Sequence, residues 1–238
     1  MRLFAVLREQ AGTSELLLED LDDGLDLAEL KRELGRRRPE LADTLERVAG
    51  AIGTDYVDDT RRLTDGDEVS LLPPVSGGSG GAPTDGESDA SPDRGVFELS
   101  ASALDAAAAL ERVAHPSCGG LTVFVGTTRA TNRGQDVVRL EYEAFDAMTG
   151  PEMGRIFERC RAELAATPEG ERRLRLFVQH RVGTVEIGEP SVVVAAASPH
   201  RDLAFRACRY LIDELKQTLP VWKKEIYADG HHWIGDRS

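Results

Sequence analysis

Residues 1–75 carry short apolar runs separated by polar turns, which is typical of a small domain that mixes strands and helices. The runs RLFAVLRE and SELLLED, joined by a turn at 11–13, predict two strands. The remaining pattern predicts helices over 27–37 and 41–48, an apolar segment over 48–52, a turn over 64–67 and a last strand in EVSLLPPV. This order of elements predicts an α+β roll.

A second set of apolar runs begins at residue 96 and predicts a larger α+β domain. Strands are predicted for VFELS, GGLTVFVG, VVRLEYEAF, LRLFVQHRVGTVEIG, PSVVVAAAS and VWKKEIYA, and helices for 101–114, 151–166 and 199–218. No repeat relates the two halves of the chain.

The stretch SGGSGGAPTDGESDASPDRG separates these patterns, because Gly, Ser, Pro and Asp replace every large apolar residue in it. Such a composition predicts a flexible linker. We therefore expect a first domain at 1–78, a linker at 79–95 and a second domain at 96–238. About eighteen residues of flexible coil span on the order of 25 Å, enough for the first domain to dock on its own second domain or on a neighbour's.

Composition narrows the class of protein further. A formal charge of −13 over 238 residues argues against a nucleic-acid binder, whose affinity comes from a basic face. No apolar run reaches membrane-spanning length, and the start MRLFAVLREQ lacks a secretion leader, so we expect a cytoplasmic protein with no membrane partner. Three cysteines without a CxxC pair fit a reducing compartment.

Lysine is rare in this chain and clustered. Only four of its 29 basic residues are lysine, and Lys216, Lys223 and Lys224 lie together in LKQTLPVWKKE. An ammonium near other cations or out of water can lose its proton and act as a base or nucleophile, whereas guanidinium cannot. Lys216 and Lys223 are therefore candidate catalytic residues. On the cluster alone, solvated surface lysines are an equally good interpretation.

The last long helix is predicted to begin at Ser198-Pro199, a favoured cap followed by a favoured first residue. His200 and Arg201 would then join free backbone N–H groups in the first turn, which suits a phosphate; an ordinary capped helix remains the alternative. The stripe along this helix is predicted to be core, Cys208 included; its members are Ala204, Cys208, Leu211, Leu215 and Leu219.

Pro220 ends this helix, so Lys216 lies near its end and Lys223 on the next strand. The two side chains meet only if that strand packs beside the helix end. Arg129, in the loop GTTRATNRG, follows a strand and is placed to reach a site, with a solvated hairpin loop as the alternative.

Other features are weaker. Gly77 and Gly78 follow the last strand of the first domain and form either a threading tail or the start of the linker. His231 and His232 lack partners at metal-ligand spacing, so no metal site is predicted, and Cys118 is interpreted as a turn or buried cysteine. Without GxxxxGK[ST] or a strand followed by GxGxxG, nucleotide hydrolysis and dinucleotide redox chemistry have no support.

Taken together, these segments resemble the two subunits of molybdopterin synthase. LTDGDEVSLLPPVSGG resembles the end of the small, sulfur-carrying subunit, a ubiquitin-like β-grasp protein with a functional terminal Gly-Gly. Four segments resemble the large catalytic subunit: HPSCGGLTVFVGTTRATNRG, LEYEAF, HRVGTVEIGEPSVVVAAASPHR and LKQTLPVWKKEIYADGHHWIG. The resemblance covers nearly the whole chain outside the linker.

The resemblance implies an activity and a set of site residues. In that family the small subunit carries a C-terminal thiocarboxylate, and the large subunit uses it to place two sulfurs on cyclic pyranopterin monophosphate, without a metal or organic cofactor. Lys216 and Lys223 match the essential lysines, and the pocket residues are matched by Arg129, His200 and Arg201, with Arg237 contributed by the partner subunit. The implied partners are an adenylating, E1-like activating enzyme, a sulfur donor and a second copy of the chain, bound through the C-terminal domain.

One departure from the family bears on the carrier. A thiocarboxylate needs a free carboxyl group, yet this chain continues past Gly78. We therefore expect cleavage after Gly78, or a separately encoded carrier that supplies the sulfur. A third interpretation is a non-catalytic ubiquitin-like carrier fused to a binding domain.

Overall fold

A computed structural model describes residues 1–21, 24–74, 94–165, 173–230 and 232–234. Within the first two ranges the elements are β1 (Arg2–Leu3), α1 (Ala5–Ala11), α2 (Leu27–Arg37), a 3-10 turn (Pro39–Leu41), α3 (Ala42–Leu45), β2 (Ala49–Ile52), β3 (Asp55–Val57) and β4 (Val69–Leu72). The sheet order is β1-β4-β2-β3, with β1 parallel to β4 and the other pairs antiparallel. A capping box between Asp26 and Glu29 fixes the start of α2 at the predicted place.

The predicted N-terminal pair of strands is wrong. Only Arg2 and Leu3 join the sheet, and the chain then forms the two-turn helix α1. Gly12, at φ 70°, ends this helix as a left-handed cap, so the residue interpreted as a hairpin turn is a helix stop. In the run SELLLED, pairing is confined to the isolated bridge of Glu15 to Arg2 and its flanking backbone bonds, from Leu3 N–H to Ser14 O and from Leu16 N–H to Met1 O.

The second domain contains two further sheets. Its elements within 94–165, 173–230 and 232–234 are β5 (Val96–Ser100), α4 (Ala106–Val113), β6 (Gly120–Thr127), β7 (Thr131–Asn132), β8 (Gln135–Ala144), α5 (Asp146–Leu164), β9 (Arg175–Arg181), β10 (Gly183–Glu186), β11 (Pro190–Ser198), α6 (Arg201–Thr218), β12 (Val221–Tyr227) and β13 (His232–Ile234). One sheet has the order β5-β9-β11-β6; the other has the order β10-β8-β12-β13, with β7 paired to β8.

Strand β11 lies at the centre of the second domain and is buried on both faces, as its continuous apolar sequence indicates. Val193, Ala195 and Ala197 pack in one cluster with residues of α4. Val192 and Val194 pack in another with α5 and α6. Cys208, Leu211, Leu215 and Leu219 of the predicted stripe lie in this second cluster, and Ala204 is also buried, which confirms the prediction that Cys208 is core.

Four of the predicted helices have other bounds in the structure. Helix α5 begins at Asp146 rather than at Pro151, and its early residue Met148 is fully buried against the first domain. Helix α6 begins at Arg201 with His200 as its cap, because the Ser198 hydroxyl donates to the His200 carbonyl instead of capping the helix. Helices α3 and α4 are shorter than predicted.

Candidate active site

The antiparallel strands β8 and β12 organise the site through their two faces. Lys223 is registered opposite Tyr142, and Trp222 opposite Glu143. Because successive side chains on a strand point to opposite faces, Trp222 and Glu143 share one face, whereas Lys223 and Tyr142 share the other. The first face contacts the small domain, and the second lines a cavity.

An aromatic stack forms the centre of the contact with the small domain. Phe4 lies between Trp222, with ring centroids 5.3 Å apart, and Phe145, at 4.7 Å. The Trp222 indole Nε1–H donates to the Pro73 carbonyl oxygen at 3.0 Å. Pro73 directly follows the last strand of the small domain, so this bond holds the beginning of its tail against the residue next to Lys223.

Polar contacts surround the stack on one side. Glu143 accepts from the Ala5 backbone N–H at 3.2 Å and pairs with Arg8 at 2.8 Å. Ala5 has a left-handed φ of 47°, and the bond to Glu143 holds this conformation at the contact. Glu9 accepts from Lys224 and from His232. Burial alone would raise the pKa of Glu9, but these two bonds lower it below its ordinary value.

Helix α5 and the end of α6 make the contacts on the other side. Arg155, which is buried, donates to Asp55 of β3 at 2.8 Å and to Glu152 at 3.3 Å. The Tyr56 hydroxyl donates to the Thr218 carbonyl at 3.3 Å. The small domain is therefore held by an apolar centre with a polar rim, which is the usual anatomy of a specific interface.

A cavity of about 450 Å³ opens on the other face of β8 and β12. Arg129, Lys216 and Lys223 all line it. Lys216 comes from the last turn of α6, and Leu219 and Pro220 then turn the chain so that β12 returns beside the helix end. The sequence left open whether the two lysines meet; the structure brings both to one cavity.

Lys223 has a carboxylate partner that the sequence analysis missed. Its Nζ lies 2.8 Å from Glu225 Oε1, and Glu225 also accepts from Asn132 at 2.8 Å and from the Tyr227 hydroxyl at 2.7 Å. Burial alone would raise the pKa of Glu225, but these hydrogen bonds lower it below its ordinary value. The strand alternation in VWKKEIY, which puts Lys223 and Glu225 on one face, was the signal that could have found this pair.

The other predicted site residues are placed as follows. His200 and Arg201 lie at the opposite end of α6 from Lys216, and a helix of that length separates them by roughly 22 Å, so they do not line this cavity in their own chain. Gly77, Gly78, Arg237 and His231 lie outside the described residues. His232 contacts Glu9 of the small domain.

Two further observations concern the described residues alone. No group of three or more His, Cys, Asp or Glu side chains in them is arranged to hold a metal ion. None of their helices combines the length and the low polarity needed to cross a bilayer.

The three cysteines lie in different surroundings. Cys118 sits in a turn, with its backbone N–H bonded to the His115 carbonyl. Burial raises the pKa of Cys160 to about 12 and that of Cys208 to about 11.

The fold and the site together define a two-domain enzyme, in which a small carrier domain is docked beside a cationic cavity of a larger catalytic domain. Residues 99–218 match the family model described as MoaE protein, and residues 1–78 match the ThiS family. The chain belongs to the MoaE family and carries a fused ThiS/MoaD-like domain, which places it among the homologues of the molybdopterin synthase catalytic subunit, in molybdenum cofactor biosynthesis. The predicted resemblance and the predicted fold class, an α+β chain with a β-grasp domain, are confirmed.

Individual relatives agree with this assignment. The molybdopterin synthase catalytic subunit of Culex quinquefasciatus is 45% identical over 134 residues, covering 56% of this chain and 82% of that protein. The same subunit of Bacillus subtilis (strain 168) is 38% identical over 141 residues, covering 59% and 85%. The crystal structure of molybdopterin synthase from Staphylococcus aureus is similar at a TM-score of 0.50 and 29% identity, covering 59% of this chain and 97% of that one.

Proposed function

We propose that this chain transfers sulfur from a thiocarboxylate at Gly78 to cyclic pyranopterin monophosphate, forming the dithiolene of molybdopterin. The observation that carries the proposal is the arrangement on β12: Trp222 holds the tail of the carrier domain on one face, and Lys223 lines the cationic cavity on the other. Gly78 is four residues beyond Pro74, and four extended residues span at most about 14 Å. That length supports delivery of the tail to the adjacent cavity.

The lysines have separate roles in this proposal. The thiocarboxylate sulfur adds to a substrate carbon and displaces the oxygen on that carbon, which gives a thioester between carrier and substrate; a second loaded carrier repeats the step at the neighbouring carbon. Cleavage of the acyl C–S bond then leaves sulfur on the pterin as a thiolate. The acyl group passes either to the Lys216 amine, as an amide that water then hydrolyses, or directly to water with Lys216 as base, and in both cases the carrier leaves with a carboxylate. Lys223, positioned by its contact with Glu225, binds the entering terminus and assists proton transfer. The transfer itself requires no metal or organic cofactor.

Arg129 binds the substrate phosphate, and a second copy of the chain completes the pocket. His200 and Arg201 are too far along α6 to serve the cavity of their own chain, so we assign them, with Arg237, to the cavity of the partner. Exposed apolar side chains support a dimer through the C-terminal domain. Leu121, which follows the Gly120 that lies against Arg201, and Phe205, one turn after Arg201, are near the start of α6, whereas Phe124 lies further along the edge strand β6 and also lines the cavity.

The source of the sulfur has two alternatives. Cleavage after Gly78, followed by adenylation by an E1-like enzyme and loading by a sulfur donor, would make this chain both carrier and catalyst. In the second alternative the chain stays uncleaved, its docked carrier domain is structural, and a separate carrier protein provides the sulfur. Intact mass spectrometry of protein from its native host decides between them: a fragment ending at Gly78 with one oxygen replaced by sulfur supports the first, and an unbroken chain in a host that makes molybdopterin supports the second.

The catalytic proposal is tested by reconstituted transfer to purified cyclic pyranopterin monophosphate, with a loaded carrier in excess. We expect Lys216→Ala to reduce the rate by at least about a hundredfold. Gln217→Ala, the adjacent exposed position on α6, serves as the matched control and should retain the wild-type rate. Wild-type rate in Lys216→Ala would refute the role of Lys216, and no transfer by the wild-type protein would favour the non-catalytic carrier interpretation.

A further inference from the structure

His180 lines the cavity but has no place in the chemistry described above. It lies near the end of β9, its residue is 7% exposed, and its ring meets the Tyr142 ring edge-on with centroids 5.0 Å apart. Tyr142 lines the same cavity and faces Lys223 across the strand pair. His180 is therefore a buried imidazole in the cavity wall that has no role in the proposed sulfur transfer.

One edge of this imidazole is fixed by the backbone. Nδ1 lies 2.8 Å from the Arg181 carbonyl oxygen, and a carbonyl can only accept a hydrogen bond. Nδ1 therefore carries the proton, and Nε2 presents a lone pair. Burial lowers the pKa of His180 to about 4, against a smaller opposing effect of the Arg181 carbonyl, so the ring is neutral at pH 7. No hydrogen bond to Nε2 is formed within the part of the chain that the structure describes.

This neutral acceptor differs from the charged groups of the cavity. Arg129, Lys216 and Lys223 are cationic donors, and the Glu225 carboxylate already accepts from Lys223, Asn132 and Tyr227. A neutral acceptor at a buried position is suited to a neutral N–H donor, because the pair forms a hydrogen bond without burying a charge that would need a counter-charge. A pterin carries such donors on its ring amide and its exocyclic amine, at the end of the molecule remote from the phosphate.

We propose that His180 Nε2 accepts a hydrogen bond from an N–H group of the substrate heterocycle and thereby orients the ring, with the phosphate toward the cations. The identity of the substrate rests on the proposed function; the acceptor role rests on the cavity and on the bond to Arg181. His180 is then a binding and positioning residue, and its removal should weaken substrate binding more than it slows the transfer step.

Two substitutions separate the two ring nitrogens. In His180→Asn the amide occupies the region of Nδ1, so the bond to Arg181 is kept and the acceptor is lost. In His180→Gln the longer side chain places its amide oxygen near Nε2, so an acceptor is kept. We expect the full-length His180→Asn variant to bind cyclic pyranopterin monophosphate about tenfold more weakly by calorimetry, the effect of one hydrogen bond. His180→Gln should stay within about threefold of wild type, and kcat should change little in both.

The wild-type protein provides a second readout that does not depend on how the variants fold. With 15N-labelled histidine, the Nε2 resonance of His180 should be that of an unprotonated nitrogen, and it should shift when the substrate is added. Equal losses of affinity in the Asn and Gln variants, or an Nε2 resonance that does not respond to bound substrate, would overturn the proposal. Substrate binding with an Nε2 shift but no sulfur transfer would refute the proposed function and leave the role of His180 standing. Absence of both binding and transfer in the wild-type protein would refute both.

Discussion

Lys223 Nζ lies 2.8 Å from Glu225 Oε1, and the two side chains are 10% and 4% exposed. A buried pair of this kind is stable only while both charges are present, because either one alone would be left without a counter-charge away from water. The pair therefore fixes the position of Lys223 in the cavity. It also makes Glu225 part of the site, although the carboxylate is not expected to react.

Glu225→Gln should destabilise the protein by about 3 kcal/mol, since it removes the carboxylate that lies 2.8 Å from the buried Lys223 Nζ. Denaturant unfolding measures this loss. The double variant Lys223→Met with Glu225→Gln removes both charges and should recover much of the stability. Asp213→Asn, which breaks the exposed pair with Arg209, is the control and should cost less than about 0.5 kcal/mol. A Glu225→Gln variant as stable as this control would contradict the buried-pair argument.

The neutral imidazole of His180 makes stability depend on pH. Its pKa is lowered from the ordinary 6.5 to about 4 in the folded chain, so between these values the unfolded chain binds the proton and the folded chain does not. The free energy of unfolding therefore rises with pH across that window. The contribution is complete above pH 6.5 and is lost as pH falls toward 4, in all about 3 kcal/mol.

This dependence is measured by unfolding wild type, His180→Gln and His115→Gln at several values between pH 4 and 7. His180→Gln should flatten the slope, because the titrating group is gone. His115 is exposed, and its replacement should leave the slope unchanged. Parallel curves for wild type and His180→Gln would mean that His180 does not titrate in this way.

Trp222→Phe should weaken docking of the carrier domain without removing the aromatic stack. The variant keeps a ring against Phe4 but leaves the buried Pro73 carbonyl without its donor, a loss of about 1–2 kcal/mol. Small-angle scattering of the full-length protein should then show a larger radius of gyration. Tyr210→Phe also removes one hydrogen bond, to Glu163 away from the docking surface, and should leave the radius unchanged. An unchanged radius of gyration in Trp222→Phe would show that the hydrogen bond from Trp222 to Pro73 does not govern docking.

Much of the site was predictable because its signals are local. Pro220 ends α6 wherever that helix packs, and this alone places Lys216 and Lys223 on either side of one turn. The error at 4–11 has the opposite origin. Phe4 leaves the sheet to stack on Trp222, a residue more than two hundred positions away, and no local pattern contains that partner. The sequence also predicted cationic neighbours for the lysines but missed Glu225, because only the strand register shows which side chains share the cavity.

The assignment of Arg201 to the partner's cavity predicts a specific pattern of complementation. If each site combines Lys216 of one chain with Arg201 of the other, the Lys216→Ala and Arg201→Ala homodimers are both inactive. After subunit exchange, half of the dimers are mixed, and each mixed dimer has one intact site. Sulfur transfer should therefore return to about a quarter of the wild-type rate. Without exchange, the two preparations together should stay inactive.

The same assignment requires the dimer itself. Leu121→Asp with Phe205→Asp puts charges on the exposed apolar surface near Arg201 and should give the mass of a monomer by light scattering, with transfer lost. Leu17→Asp, at an equally apolar and more exposed position on the carrier domain, should remain dimeric and active. If Lys216→Ala and Arg201→Ala fail to complement after verified exchange, Arg201 does not act across the dimer. If the double Asp variant is monomeric yet fully active, the cavity of a single chain is sufficient, and His200 and Arg201 have no part in binding the substrate.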